Sequence, residues 1–373
     1  MTRTLGVEEE MFLVDGISGR IAPVSEQAIR RHESDEAIEH ELFLEQIETM
    51  TEPRSTLADL RGDLVAGRRA AIAAARSAGA QVIAAGTAPL PHHDPRVTPK
   101  PRYERMSSLF GGIGPGGLAC GMHVHVGIDG PEEGVAILDR IRPWLSIVRA
   151  LAANSPFADG DDTGHASWRT QLWDRWPSAG PVEPFGDLAG YRRAVADLIE
   201  TGAAVDEGMV YFDARLARSL PTVEVRVADV CTDVSDATVV AGLIRGLVET
   251  AARDHAAGGP VPPWRVDLLR GARWHAARYG VSADLVDPVA RSRRPALEVV
   301  DTLLDHVGEA LADAGDTALV TAGVQRIVHE GNGADRQRAV DRSTERDGLR
   351  AVVADLVTRT AAESTEPVHE RTG

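Results

Sequence analysis

Two histidines on a short apolar segment have a spacing that could support chemistry. In "CGMHVHVGID", His123 and His125 alternate with apolar side chains. Residues two apart on a β-strand face the same way, so both imidazoles lie on one side and the apolar groups lie on the other. The apolar side is explained by burial in a core. The imidazole side predicts a site that binds a metal ion or an anion.

Three further segments have the same division between an apolar face and a face of ligating groups. Glu8 and Glu10 share a face of "GVEEEMFLV", Glu48 lies on the polar face of "LEQIETM", and Glu224 and Arg226 share a face of "TVEVRVADV". A solvated strand face is the ordinary explanation for any one of these segments. Together they lack lysine, and carboxylates close together in one sheet would repel one another.

Cations should therefore lie among these carboxylates if the strands share one sheet. Ligand sets rich in oxygen favour magnesium or manganese over zinc. Arg226 adds a planar fork of donors that suits a phosphate or a carboxylate. The pattern predicts a sheet face that holds a complex of divalent metal and nucleotide.

The elements that must position these residues follow from apolar periodicity. Besides the histidine segment, the sequence predicts strands over residues 4–14, 42–50, 80–89 and 222–230. It predicts helices over 56–78, 131–154 and 188–205, loops over 87–106 and 155–187, and mostly helical structure from 236 to about 361. We expect one α+β domain over residues 1–361 and a disordered tail over 362–373.

Composition restricts the class of protein. The 373 residues are 43% hydrophobic, which is typical of a soluble globular chain. The formal charge of -16 argues against a nucleic-acid partner, because phosphate contacts need an excess of basic residues. Cys120 and Cys231 form no disulfide framework, which favours a cytoplasmic location. No segment has the apolar length of a membrane span, so we expect no membrane partner; a homo-oligomer is left open.

Five segments, in this order, carry a resemblance to a known family: "GVEEEMFLVD", "IET", "CGMHVHVGI", "TVEVRVADV" and "GNGADRQR". The chain resembles the type 2 glutamate–cysteine ligases, also called carboxylate–amine ligases, from about Leu5 to about Arg338. The resemblance implies a glutamine-synthetase-like α+β fold. In that fold an antiparallel sheet, covered by helices, has a concave catalytic face that holds ATP, Mg²⁺ or Mn²⁺, and glutamate.

The resemblance also assigns roles to individual residues. The implied metal ligands are Glu8, Glu10, Glu48, His123 and Glu224. Arg226 is implied to contact the transferred phosphate, and Arg169 in "GHASWRTQLWDRW" matches a basic residue on the substrate side. His125 and Arg336 are implied to lie on the cofactor side, although the similar type 1 enzymes carry Asn at the position of His125, and Gln337 is the alternative to Arg336.

The implied reaction has two steps. The glutamate side-chain carboxylate attacks the γ-phosphate of ATP, and an amine, cysteine in the named reaction, then displaces phosphate from the acyl phosphate. Two alternatives remain open: a metal-dependent hydrolase that uses the same face without ATP, and a catalytically weak relative that binds nucleotide. The complete set of ligating residues favours catalysis over the second alternative. The sequence does not identify the amine.

Overall fold

Seven strands of the computed structural model, which describes residues 2–30, 38–344 and 346–364, form one antiparallel sheet. The strands of the protein are β1 (Leu5–Asp15), β2 (Ile38–Glu39), β3 (Gln46–Met50), β4 (Ala80–Ile83), β5 (Gly121–Gly127), β6 (Phe157–Ala158), β7 (Asp161–Asp162), β8 (Ala214–Leu216), β9 (Thr222–Asp229), β10 (Asp284–Asp287) and β11 (Ser292–Pro295). The main sheet has the order β2-β3-β1-β5-β9-β8, and β4 pairs with the second half of β1. The remaining strands form two small hairpins.

The described residues form thirteen α-helices, several of which cover one face of this sheet. They are α1 (Ser25–Arg30), α2 (Leu57–Ser77), α3 (Pro101–Phe110), α4 (Pro131–Ile141), α5 (Leu145–Leu151), α6 (Trp168–Trp173), α7 (Leu188–Glu200), α8 (Val234–Ala256), α9 (Val266–Tyr279), α10 (Ala296–Ala314), α11 (Thr317–Glu330), α12 (Gly333–Arg342) and α13 (Gly348–Ala362). Helices α2, α4, α5 and α8 contact the central strands. Val7, Val124 and Val225 are buried in this layer, so the apolar faces predicted from alternation are the core faces.

The predicted α+β class with an antiparallel sheet is confirmed, and each strand predicted to carry chemistry is present. Several boundaries differ: the strand predicted over 80–89 ends at Ile83, and the helix predicted over 188–205 ends at Glu200. The strand predicted over 42–50 begins at Gln46, and the helix predicted over 131–154 is interrupted by a 3₁₀ turn at Arg142–Trp144. The turn contains Pro143, which has no N–H for an α-helical hydrogen bond.

Two loop predictions were wrong in part. The segment 87–106 contains the start of α3, where Pro101 occupies a first-turn position that suits its fixed φ. The segment 155–187 contains β6, β7 and α6. In the helical C-terminal part, the β10–β11 hairpin was not predicted, because its four-residue strands are charged and lack alternation.

Side-chain hydrogen bonds and an ion pair stabilise the C-terminal helices. Asn332 caps α12 with a reciprocal capping box, as expected for a turn before a helix. After α13, Glu363 pairs with Arg61 at 2.7 Å. From residue 365 onward, the predicted tail lies outside the described residues. Within the described part, no helix has the length and apolar character to cross a bilayer.

Candidate active site

The register of β1 with its two neighbours brings four predicted residues together. Glu8 lies opposite His123 on β5, and Glu10 lies opposite Glu48 on β3. Directly paired residues in an antiparallel sheet have side chains on the same face. Strand pairing therefore assembles these side chains on the sheet face away from the helical layer.

The pairing of β5 with β9 adds a second pair of predicted residues. His125 lies opposite Glu224, and the register shifts between Met122 and Val124. Arg226 follows Glu224 by two residues and lines the same cavity as His123. Six of the predicted site residues, Glu8, Glu10, Glu48, His123, Glu224 and Arg226, thus meet on one face, with His125 beside them.

Two groups of these side chains have the composition of divalent-metal sites. In one, Glu8, His123 and Glu224 each offer a ligand atom, and these atoms lie within 4.8 Å of one another. In the other, Glu10, Glu48 and His123 meet the same condition. Carboxylate oxygens with one imidazole suit magnesium or manganese. His123 belongs to both groups, so the two sites would be neighbours.

Glu8 is held between the two histidines. Its Oε2 lies 3.1 Å from His123 Nδ1, and its Oε1 lies 3.1 Å from His125 Nε2. Burial favours the neutral acid, but the hydrogen bonds from the two histidines outweigh burial and lower the pKa of Glu8 below its ordinary range. Glu8 is therefore a carboxylate at neutral pH. On its other nitrogen, His125 contacts Thr222 Oγ1 at 2.9 Å.

His123 has the environment of a neutral metal ligand. Burial, followed by the nearby charge of Arg226, lowers the pKa of the imidazole. Its Nδ1 faces Glu8, whereas its buried Nε2 has no hydrogen-bond partner among the described residues. A neutral imidazole that donates from Nδ1 leaves a lone pair on Nε2. That lone pair lies on the side of Glu10, whose Oε1 is 3.8 Å away.

The second group is crowded with carboxyl groups. The Gly121 N–H donates to Glu10 Oε2 at 2.6 Å. Glu41, which was not predicted from the sequence, lines the same cavity as Glu10 and Glu48. Burial and the charge of Glu10 raise the pKa of Glu41 to about 8. Burial and Glu41 raise the pKa of Glu48 well above its ordinary value. Because neighbouring carboxyl groups raise the pKa values of Glu41 and Glu48, a bound cation would relieve this repulsion. The residues thus fit a divalent ion.

Glu224 is held by two arginines. Arg215 on β8 donates from Nε to Oε2 at 2.6 Å, and Arg226 donates from Nη1 to Oε1. Burial favours protonation, but Arg226 and Arg215 outweigh it and lower the pKa of Glu224 to about 2. The Arg226 guanidinium also lies over the ring of Tyr211, 5.8 Å from its centroid. Arg215 was not predicted, because its three-residue strand is too short to show alternation.

Arg169 lies on the same face, above Gly121. Gly121 precedes His123 by two residues on β5, so the position of its missing side chain faces the site. A Cβ added there would lie 2.6 Å from Arg169 Cζ. The Arg169 side chain is buried, its Nε and Nη2 have no partner in the described chain, and its guanidinium stacks over Trp173. Gly121 therefore provides the space that Arg169 occupies.

Two cavities meet at Glu8. A polar cavity of about 160 Å³ is lined by four of the candidate metal ligands, by Arg226, and by Tyr103 and Tyr211; the four ligands are Glu8, Glu10, Glu48 and His123. A larger cavity of about 940 Å³ extends from Glu8 and His125 along the start of β1 and residues 220–222. Glu8 lines both.

Arg336 is not brought into this cluster. Its guanidinium pairs with Asp236 and donates to the Gly331 carbonyl at 3.0 Å, which fastens α12 to the start of α8. The adjacent Gln337 donates to the Asn154 carbonyl at 3.0 Å. Arg336 lines neither of the two cavities described above. The prediction for Arg336 depended on the motif "GNGADRQR", which is far along the chain from the strands of the site. A sequence pattern does not show which side of a helix faces a site.

Comparison with solved structures shows the same fold in distant proteins. A glutamate–cysteine ligase from Francisella tularensis, solved in complex with AMP, aligns with a TM-score of 0.69 at 13% identity, covering 98% of this chain and 93% of that one. A bifunctional glutathione synthetase from Pasteurella multocida aligns with a TM-score of 0.66 at 13% identity, covering 96% of this chain and 53% of that one. The glutamine-synthetase-like fold implied by the resemblance is thereby confirmed.

Closer relatives are found by sequence. A Nocardioides protein provisionally named glutamate–cysteine ligase 2-1 is 48% identical over 374 residues, covering 97% of both chains. A Frankia alni protein provisionally named glutamate–cysteine ligase 2-2 is 46% identical over 381 residues, covering 98% of both. The profile of glutamate-cysteine ligase family 2 matches residues 4–355. The chain therefore belongs to glutamate-cysteine ligase family 2.

Proposed function

We propose that this protein is an ATP-dependent carboxylate–amine ligase that joins the side-chain carboxylate of glutamate to an amine, with cysteine as the leading acceptor. The observation that carries the proposal is the pair of carboxylate–histidine groups that share His123 beside Arg226. Both substrates of the first step are anions, so their approach requires a concentrated positive charge. This sheet face provides ligands for two divalent ions and a guanidinium in one place.

Glu8 and Glu224 would hold one Mg²⁺ or Mn²⁺, and Glu10, Glu48 and His123, through the lone pair of its Nε2, would hold the second, with Glu41 near it. Bound there, the ions would neutralise the triphosphate and the reacting carboxylate. His125 acts through Glu8, which it holds in place while Thr222 fixes the orientation of the imidazole ring.

The two cavities suggest where each substrate binds. The larger cavity has the volume and the apolar walls that a nucleoside requires, and it reaches the metal groups at Glu8. The smaller cavity has the polar walls that an amino acid requires. We assign ATP to the larger cavity and glutamate to the smaller one. The γ-phosphate and the attacking carboxylate would then meet beside Glu8.

Arginine residues complete the site. Arg226 faces the smaller cavity and offers a planar fork to the transferred phosphoryl group. Arg169 stacks over Trp173, and its Nε and Nη2 have no hydrogen-bond partner among the described residues, so we assign it to the anionic acyl substrate. Arg336 contributes by anchoring α12. We place the reaction in the cytoplasm, where ATP and reduced cysteine are both available.

The test is phosphate release from ATP in the presence of magnesium and glutamate, screened over a panel of amines, with the amide product identified by mass spectrometry. We expect release that depends on glutamate and on one preferred amine. Glu224→Gln is the matched inactive control. Amide or ester hydrolysis without ATP would instead support a metal-dependent hydrolase. Nucleotide binding without turnover on any amine would support the weak relative.

A further inference from the structure

Arg215 makes the more extensive of the two arginine contacts with Glu224. The two residues lie opposite each other in the β8–β9 register. Arg215 Nε lies 2.6 Å from Glu224 Oε2, and Arg215 Nη2 lies 3.1 Å from Oε1. Both carboxylate oxygens are thus bound by one guanidinium edge, which fixes the plane of the carboxylate as well as its position.

Arg215 is itself fixed in place by the main chain. Its Nη1 donates to the carbonyls of Gly208 and Val210, both at 3.1 Å. All three guanidinium nitrogens of Arg215 therefore donate hydrogen bonds. Arg215 does not line the smaller cavity. Arg226 differs, because it lines that cavity and its Nε has no partner in the described chain.

Glu224 therefore has two guanidinium partners for one negative charge. Removing the last partner of a buried carboxylate is strongly unfavourable. Because Arg215 keeps its contact with Glu224, Arg226 can turn toward an anionic substrate. The Glu224 carboxylate then still has one guanidinium partner. A lysine at position 215 would keep the charge but would lose the fork.

We propose that Arg215 is a positioning residue, which orients the Glu224 carboxylate for a divalent ion and leaves Arg226 available to the transferred phosphate. The part of this inference that concerns Arg226 and the transferred phosphate rests on the proposed ligase function. The part that concerns orientation of Glu224 for a divalent ion rests on the contacts of Arg215 with Glu224.

The experiment compares Arg215→Lys, Arg226→Lys and a control, Arg294→Lys, which alters an ion pair in the β10–β11 hairpin. Mn²⁺ binding is measured by the EPR signal of free Mn²⁺, and kcat is measured at saturating Mn²⁺. For Arg215→Lys we expect Mn²⁺ affinity to fall about tenfold or more, with kcat within about threefold of wild type. For Arg226→Lys we expect Mn²⁺ affinity within about threefold and kcat lower by about a hundredfold. The control should match wild type in both measurements.

A folded Arg215→Lys protein with wild-type Mn²⁺ affinity would overturn the inference. So would an equally large loss of kcat that persists at saturating Mn²⁺, because Arg215 would then act on substrate directly. Should Arg215→Lys fail to fold, Glu224→Gln is compared with Glu224→Gln/Arg215→Lys. Equal Mn²⁺ affinities support action through Glu224, and a further loss contradicts it. Mn²⁺ binding needs no turnover, so an inactive wild-type protein would refute the ligase proposal without deciding this one.

Discussion

Glu9 and Glu10 are adjacent in sequence, but their carboxylates lie on opposite faces of the sheet and have different partners. Glu9 forms a fully buried ion pair with Arg68, at 2.6 Å, within the helical layer. Arg68 also donates to the carbonyls of Cys231 and Thr232. Glu10 faces the polar cavity and accepts the Gly121 N–H. One run of glutamates thus supplies a structural residue and a candidate metal ligand.

This difference predicts opposite effects of two similar substitutions. Glu9→Gln leaves Arg68 buried without its counter-charge, and we expect a loss of about 3–5 kcal/mol in the free energy of unfolding. Glu10→Gln should change that free energy by less than about 1 kcal/mol but should abolish binding of the second Mn²⁺. Urea unfolding and Mn²⁺ titration of both variants provide the test. Equal destabilisation by the two changes would contradict the assignment.

The two histidines should differ in importance. His123 belongs to both candidate metal groups and has a lone pair on Nε2 that can ligate an ion, whereas His125 acts on Glu8. We expect His123→Ala to lower kcat/KM by about a hundredfold or more, and His125→Ala by about tenfold. Activity is measured with ATP and glutamate at saturating Mg²⁺. Near-wild-type activity of His123→Ala would remove His123 from the site.

The crowded carboxyl groups predict a dependence on pH. Glu41, with a pKa raised to about 8, keeps its proton in the metal-free folded protein near pH 7, whereas in the unfolded chain it ionises near 4.5. The folded state then binds the extra proton, so this contribution to stability is lost as pH rises from about 4.5 to about 8. Glu8 and Glu224 have lowered pKa values, and their contributions are lost below that range, as pH falls.

Mg²⁺ requires the ionised carboxylates, so its affinity should rise over the same range. We therefore expect the gain in Tm caused by Mg²⁺ to increase between pH 6 and pH 9. Glu41→Gln should flatten this increase, and the measurement is thermal unfolding with and without Mg²⁺ across the pH series. An increase of the same slope in the variant would show that Glu41 is not the group responsible.

Gly121 should not tolerate a side chain. Gly121→Ala would displace the buried Arg169 guanidinium, and we expect glutamate-dependent ATP turnover to fall by about tenfold or more. The control is Gly308→Ala in α10, where an added Cβ has no neighbour within 4 Å among the described residues. That change should raise stability by about 0.5–1 kcal/mol and preserve turnover. Full activity of Gly121→Ala would mean that the position of Arg169 is unimportant.

The sequence predicted the central part of the site because the alternation of polar and apolar residues shows which side chains share a face of a strand. On β1, β5 and β9, each predicted pair of polar residues lies on one face, and that face is the one away from the helical layer. Core packing on the opposite face fixes the register, since a slip by one residue would bury the ligands. Fold class and most of the candidate metal ligands were therefore accessible from pattern alone.

The remaining residues depend on long-range packing that the pattern does not contain. Glu41 precedes β3 in irregular backbone, and only tertiary contacts bring it beside Glu10. Arg215 lies on the short β8, where three residues are too few to establish a period. The α3 helix was obscured by its Pro-rich surroundings, although it brings Tyr103 to the cavity.

The assembly of the site from separate strands has a consequence for the timing of folding. Glu8, His123 and Glu224 belong to β1, β5 and β9, which are far apart along the chain, and each pairing closes a long loop. Such non-local pairings form slowly, and a chain that ends before β9 lacks Glu224 altogether. These three residues therefore come together only after β9 has paired with β5, whereas Glu10, Glu48 and His123 need no residue of β9. An ion bound by Glu8 and Glu224 together would therefore report that the three central strands have paired.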